Sequence, residues 1–127
     1  EEVDYLKNYI ELQKLRFDYE IPLAINIDNN ISNEKIAPLL LIPLIENAFK
    51  HGDFKHPEFP LTIKLLNFNN ELSFIVENKK GPYQKDKLHG IGITNLKRRL
   101  ALIYPNRYFF DIEESERSYK ATLTIKW

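Results

Sequence analysis

The run Pro43-Leu44-Ile45-Glu46-Asn47-Ala48-Phe49-Lys50-His51-Gly52 starts as an apolar helix and then acquires Glu, Asn, Lys and His in quick succession. At about 100° per residue, Leu44, Ile45, Ala48 and Phe49 share a stripe, which predicts the buried side. Asn47, Lys50 and His51 fall on neighbouring turns of another side, with Glu46 one step from Asn47. Gly52 stands just past the last turn, where a positive φ is often needed. Two readings are open at this point. The stretch is either a core helix with a polar end or a helix that presents side chains to a ligand.

Upstream, residues 3–18 have helical periodicity, with Val3, Leu6, Ile10 and Phe17 as the seam and Tyr9 and Leu12 broadening it. An ordinary packing helix and the tail of a longer helix entering from upstream both fit this pattern. Beyond Pro22, Leu23-Ala24-Ile25-Asn26-Ile27-Asp28 alternates as a strand, and Asn29-Asn30 and Ser32-Asn33 are turn or cap residues. The helix around 36–51 contains Pro38 and Pro43. Proline inside a helix removes a hydrogen bond, so an irregular or bent half is expected at 36–42, with the cleanest helix after Pro43.

Downstream, residues 52–60 read as a loop. Leu61–Phe68 and Glu71–Asn78 alternate around Asn69-Asn70, a tight hairpin turn. Residues 79–88 are polar and rich in lysine, fitting either a solvated loop or a mobile basic lid over an anion. Gly90-Ile91-Gly92 precedes a helix that runs from Ile93 to Tyr104 and is stopped by Pro105. Glycines at a helix start let backbone approach a phosphate, and a tight turn explains them equally well. A second hairpin, 108–113 with 118–127, closes the chain. The order helix, strand, helix, two strands, helix, two strands predicts an α/β two-layer sandwich: a mixed, mostly antiparallel sheet with helices on one face.

Composition narrows the function. The 127 residues suffice for one domain, and 18 basic against 18 acidic residues leave no overall field for nucleic acid. Without cysteine there are no disulfides, thiolate metal sites or cysteine nucleophiles. A hydrophobic fraction of 43% is that of a folded domain, and no apolar run approaches the length of a membrane span. The absence of methionine leads us to expect a segment of a longer protein.

Three pieces, Leu44–Gly52, the strand end Glu77-Asn78, and Gly90-Ile91-Gly92-Ile93-Thr94-Asn95-Leu96-Lys97-Arg98-Arg99-Leu100, together resemble the ATP-binding domain of sensor histidine kinases. That domain has the Bergerat fold, shared with gyrase, Hsp90 and MutL. Tyr5-Leu6 and Ile10-Glu11-Leu12-Gln13-Lys14-Leu15-Arg16-Phe17 add a likeness to the branch that signals to LytTR-type response regulators. The resemblance spans essentially the whole chain.

The resemblance implies ATP and Mg²⁺ as cofactors, with Asn47 as the side chain that holds the metal. An amide oxygen is a suitable hard, neutral ligand for an ion that keeps phosphate oxygens and waters. It implies Glu46 as the catalytic residue that polarises an attacking group, although a structural salt bridge would also employ it. Lys50 would meet phosphate as a point charge. His51 would either donate to phosphate or cap the helix and pack on the adenine side. Glu77 aligns with the aspartate of an Asp-x-Gly-x-Gly box, Gly81 with its second glycine, and Lys79 replaces the first. The longer Glu77 side chain raises the alternative that adenine recognition passes to Asn78. Gly90, Gly92, Thr94 and Asn95 match the last glycine box and the helical turn facing the phosphates.

The implied chemistry is transfer of the ATP γ-phosphoryl to a histidine. His51, His56 and His89 do not lie in a phosphoacceptor context, so the acceptor is expected on another segment. Residues 1–18 are then the end of a linker helix, and residues 19–127 the ATP-binding catalytic domain. The parent is expected to be a homodimer anchored in the cytoplasmic membrane, with this domain on the cytoplasmic side, no direct membrane contact of its own and a response regulator as partner. Two other readings stand beside this one: a domain of the same fold that scaffolds signalling and binds ATP weakly or not at all, favoured by Lys79, and an unrelated small α/β binding domain.

Overall fold

Alternation builds the sheet. In the strand Glu71–Lys79 every second side chain (Leu72, Phe74, Val76, Asn78) is buried while those between stay partly exposed. The strand Ser118–Lys126 does the same with Tyr119, Ala121, Leu123 and Ile125. A period of two gives a strand one covered and one open face. The computed structural model describes residues 2–28, 40–81 and 90–126.

In chain order the elements are α1 (Glu2–Lys14), β1 (Leu23–Ile27), α2 (Ile42–His51), β2 (Leu61–Phe68), β3 (Glu71–Lys79), α3 (Gly90–Ile103), β4 (Tyr108–Glu114) and β5 (Ser118–Lys126). The sheet runs β1-β2-β3-β5-β4, with β1 parallel to β2 and the other pairs antiparallel. Leu6 and Ile10 of α1, Leu44, Ile45, Ala48 and Phe49 of α2, and Ile93, Leu96 and Leu100 of α3 share one buried cluster with the covered face. Each such side chain contributes roughly 1.5–3 kcal/mol on burial. The expected two-layer sandwich, a mixed and mostly antiparallel sheet with helices on one face, is what the chain forms.

Asn69 and Asn70 turn β2 into β3 with φ of 54° and 62°. Two consecutive left-handed residues make the turn whose twist matches the strands, and asparagine tolerates that region. Asn106, φ 62°, does similar work between α3 and β4.

Five local expectations are corrected. The first helix ends at Lys14, not at residue 18. Leu15, Arg16 and Phe17 each donate their N–H three residues back, a tightened exit from the helix. That exit turns Phe17 into an aromatic cluster, with ring centroids 5.6 Å from Phe54 and 6.3 Å from Phe49. Leu12 faces outward, 62% exposed, and does not broaden the seam. Pro43 lies in the first turn of α2, where the missing N–H has no helical acceptor to lose; of the bent half expected at 36–42, residues 36–39 lie outside the described residues. Gly90 and Gly92 do not precede α3 but belong to it.

The fifth correction concerns Gly52. Its φ is −84° and its ψ 161°, ordinary extended backbone rather than a left-handed cap. Space is what demands glycine there. A Cβ would stand 2.5 Å from the Phe54 ring and 2.7 Å from the Ala48 carbonyl oxygen.

Candidate functional site

The end of α2 is fastened to the end of β3. Gly52 and Lys80 form an antiparallel bridge. The Gly81 N–H donates to the His51 carbonyl at 3.0 Å, and the Asp53 N–H to the Lys79 carbonyl at 2.8 Å. A Cβ on Gly81 would approach the His51 oxygen to 3.1 Å, so glycine lets the segment after β3 close against a helix C-terminus. Lys79 and Lys80, read from sequence as the start of a loop, therefore continue the strand and its bridge. The rest of the expected lid, residues 82–89, lies outside the described residues.

Charge holds the same corner. Asp53 Oδ2 lies 3.6 Å from Lys79 Nζ and 3.2 Å from His56 Nε2, while Glu58 Oε2 is 3.5 Å from His56 Nδ1. Burial pushes the Asp53 carboxyl up, but the Lys55 N–H, His56 and Lys79 more than offset it and hold it below its ordinary value. Lys80 Nζ pairs with Glu114 at 3.1 Å and donates to the Ser115 carbonyl at 3.1 Å. Lys79, the residue in the place of the box's first glycine, is thus committed to Asp53.

On α2, successive residues diverge by about 100°. Glu46 is exposed and its carboxylate faces Tyr9 of α1. Burial first, then Glu46, raises the Tyr9 ionisation above its ordinary value. Asn47 is half-buried, and its side-chain amide is near enough to the Tyr119 hydroxyl of β5 to act on that group's ionisation. That hydroxyl is shielded from solvent. Burial and then the Glu114 carboxylate raise the Tyr119 ionisation, with the Asn47 amide acting in the opposite sense. Lys50 is exposed, and His51 is half-buried with Nε2 shielded from solvent.

On β3, Glu77 and Asn78 cannot serve one site together. Asn78 lies on the helix-covered face, 2% exposed, and its Nδ2 donates to the Lys79 carbonyl at 2.9 Å. Glu77 lies on the opposite face, between Thr62 and Lys120 in the strand register. The period of two decides this, and it directs Asn78 rather than Glu77 to the side of α2. Tyr119 is the cross-strand partner of Asn78. Asn47, Asn78 and Tyr119 are therefore neighbours, whereas Glu46 and Glu77 point elsewhere.

The helix α3, which packs against α2, supplies the remaining residues. Thr94 and Asn95 are exposed. A Cβ on Gly92 would meet nothing within 4 Å. Among the described residues no packing requires a glycine there, and none of them covers the bare backbone of the first turn of α3. That is a fit for phosphate, which approaches helix N-terminal N–H groups closely. No group of three or more His, Cys, Asp or Glu side chains able to hold a metal ion occurs among the described residues. A magnesium ion brought by a nucleotide fits this donor set, because it keeps phosphate oxygens and waters and needs few protein ligands.

A separate cavity of about 440 Å³, lined by Asp18, Tyr19, Glu20, Pro22, Phe54, Lys55 and Pro57, contains none of these residues. Sequence reasoning missed Tyr119 and Asp53. For Tyr119 the signal was available, since the alternation Tyr119, Ala121, Leu123, Ile125 sets a hydroxyl-bearing ring on a core face.

No family model matches the chain. Over 76 residues, 60% of this chain, it is 42% identical to the sensor protein kinase HptS of Staphylococcus aureus, covering 14% of that protein. Over its whole length it is 25% identical to the sensor histidine kinase BtsS of Escherichia coli, covering 23% of that protein. The chain thus spans less than a quarter of the length of these relatives. Among solved structures it is similar to the histidine kinase AdeS of Acinetobacter baumannii, with a TM-score of 0.62 at 14% identity over 98% of this chain and 62% of that one. The α/β sandwich is the Bergerat fold of histidine-kinase catalytic domains.

Proposed function

We propose that this chain is the ATP-binding catalytic domain of a two-component sensor histidine kinase. The observation that carries the proposal is the α2–β3 corner, which fastens the end of the helix bearing Asn47 to the end of the strand bearing Asn78, with α3 packed against α2. Asn47 holds the magnesium of Mg-ATP through its amide oxygen. Lys50 and the N–H groups of α3 at Gly90 and Gly92 meet the phosphates, with Thr94 and Asn95 beside them. Asn78, not Glu77, faces the adenine; Gly81 gives the base room. His51 lines the same end of α2. Glu46, on the outer side of α2, is available to accept a proton from an incoming group.

ATP supplies the transferable γ-phosphoryl, and the acceptor is a histidine on another segment of the full protein. Residues 1–18, which include α1, link that segment to the domain of residues 19–127. Leu6 and Ile10, 0% and 1% exposed within the common core, couple that helix to the domain mechanically. The parent is a homodimer whose sensor part lies in the cytoplasmic membrane, this domain being cytoplasmic, and it phosphorylates a LytTR-type response regulator. Among the described residues no helix is long and apolar enough to cross a membrane.

A second reading is favoured by one observation: Asn78 is 2% exposed and Lys79 is paired with Asp53, so the box between them departs from an open nucleotide pocket. On that reading the domain transmits signals without turning over ATP. Calorimetric titration with ATP, with and without Mg²⁺, separates the two. Saturable, magnesium-dependent binding that Asn47→Ala weakens at least tenfold is expected. No saturable binding at millimolar ATP would remove the kinase reading.

A further inference from the structure

We infer that the open face of the sheet is a self-docking surface: two copies of this chain stack face to face about a twofold axis running along the strands between β3 and β5. Among the described residues α1, α2 and α3 all pack on the covered face. Alternation turns every second strand side chain away from them, and the face so formed is not simply polar. Phe68 is 75% and Phe109 59% exposed, while Leu66 and Ile75 of the same face are half-buried. Large apolar side chains gathered on one open face favour a partner that covers them. Stacking two aligned sheets is an ordinary way to do so. The helices and the α2–β3 corner lie on the other side, so the inference does not depend on the nucleotide reading.

Charge selects a second copy as the occupant. The strand ladders arrange the open face in rows that run across β2, β3, β5 and β4. A twofold along the strands exchanges β2 with β4 and β3 with β5 within each row. Lys64 and Asp111 end one row, so each meets the other on the second copy. In the same way Glu77 meets Lys120, and Glu71 meets Lys126. Leu66 meets Phe109, with the small side chains of Ser73 and Thr124 between them. No row sets like charges together. A twofold across the strands would instead put Glu71 against Glu77 and Lys120 against Lys126, so the charges choose one axis. Among the described residues none of these charges makes an ion pair within its own chain, which leaves them available to a partner. Four strands about 4.8 Å apart, with ladders of seven residues at about 3.3 Å, make a face of roughly 450 Å². Two such faces bury roughly 900 Å², near the lower end for specific contacts, so the dimer is weak and forms as concentration rises. The apolar side chains supply most of the attraction, and the exposed charges fix the register.

The test is sedimentation equilibrium, without nucleotide, of the wild-type chain, Lys64→Asp, Asp111→Lys and an equimolar mixture of the two variants, each first checked for unchanged melting. The wild type is expected to dimerise reversibly below about 1 mM. Either variant alone sets like charges together twice across the axis and should dimerise at least about tenfold more weakly. In the mixture each reversed charge meets an opposite one on the other variant, so heterodimers should form with wild-type strength. Within one copy the two positions are three strand spacings, about 14 Å, apart, so a dimer regained by mixing reports contact between copies. A wild type still monomeric at about 1 mM would overturn the proposal and leave the face to a different protein. A dimer that both variants leave as tight as before would place the contact elsewhere and overturn it as well. So would a mixture that associates no more tightly than its components.

Discussion

Replacing Gly52 by alanine tests why the polar helix ends as it does. The new Cβ would lie 2.5 and 2.6 Å from two atoms of the Phe54 ring and 2.7 Å from the Ala48 oxygen. Ordinary carbon contacts begin at about 3.5 Å, so something must shift by roughly 1 Å. Phe54 has little freedom, being 2% exposed and packed with ring centroids 5.6 Å from Phe17 and 5.7 Å from Phe49. The Ala48 oxygen accepts the Gly52 N–H at 2.8 Å, and moving it weakens the last hydrogen bond of α2. Overpacking costs about 1–3 kcal/mol and the strained hydrogen bond about 0.5–1.5 kcal/mol. The φ of −84° suits alanine, whose stiffer unfolded chain returns about 0.4–1 kcal/mol. The net expectation is a loss of about 0.5–4 kcal/mol, centred near 2 kcal/mol, measured by urea denaturation followed by circular dichroism. Gly52→Asn, which a left-handed cap would accept, should lose at least as much. A Gly52→Ala protein within about 0.5 kcal/mol of the wild type would refute the steric explanation, as would a tolerated asparagine.

Gly92→Ala gives the opposite pattern: no atom of the described residues lies within 4 Å of its Cβ, so stability should stay level or rise by up to about 1 kcal/mol while Mg-ATP affinity falls. Thermal melting and calorimetry on the same sample check both halves. Asp53→Asn should destabilise by about 1–2 kcal/mol at neutral pH through loss of the charge-assisted contacts to Lys79, His56 and the Lys55 N–H. Because the folded state lowers the Asp53 value below 3.8, that stabilisation is present above the unfolded value and is lost as pH falls through the folded one. The gap between wild type and variant in urea midpoints should therefore close below about pH 4. Phe54→Ala in the Gly52→Ala background should cost less than in the wild type, since the clash it relieves is already present, and a double-mutant cycle reads the coupling.

Much of this was legible in residue order. The alternation in 61–68, 71–79 and 118–126 and the stripe Leu44, Ile45, Ala48, Phe49 fixed strands, turns and the buried side, because periods of two and 3.6 leave little choice. The place of Pro43 was less legible. A proline is tolerated in a first turn and disruptive later, and only the start of α2 at Ile42 decides which applies. Gly52 and Phe54 were misread for a related reason: local sequence shows a helix stop and a loop, whereas a contact between them makes one a steric necessity and the other core. At the site, the box alignment was ambiguous between Glu77 and Asn78 until the strand register put them on opposite faces. Lys79 looked like a charge in the pocket, and its commitment to Asp53, 26 positions earlier in the chain, depends on how α2 meets β3.

Amide chemical-shift mapping with Mg-ATP tests the central claim most directly, because it locates a ligand without assuming the site. Shifts concentrated at Asn47–His51, Asn78–Gly81 and Gly90–Asn95, and lost in Asn47→Ala, are the expected result. Shifts confined to the cavity around Tyr19, Phe54 and Lys55, or none at saturating nucleotide, would contradict it.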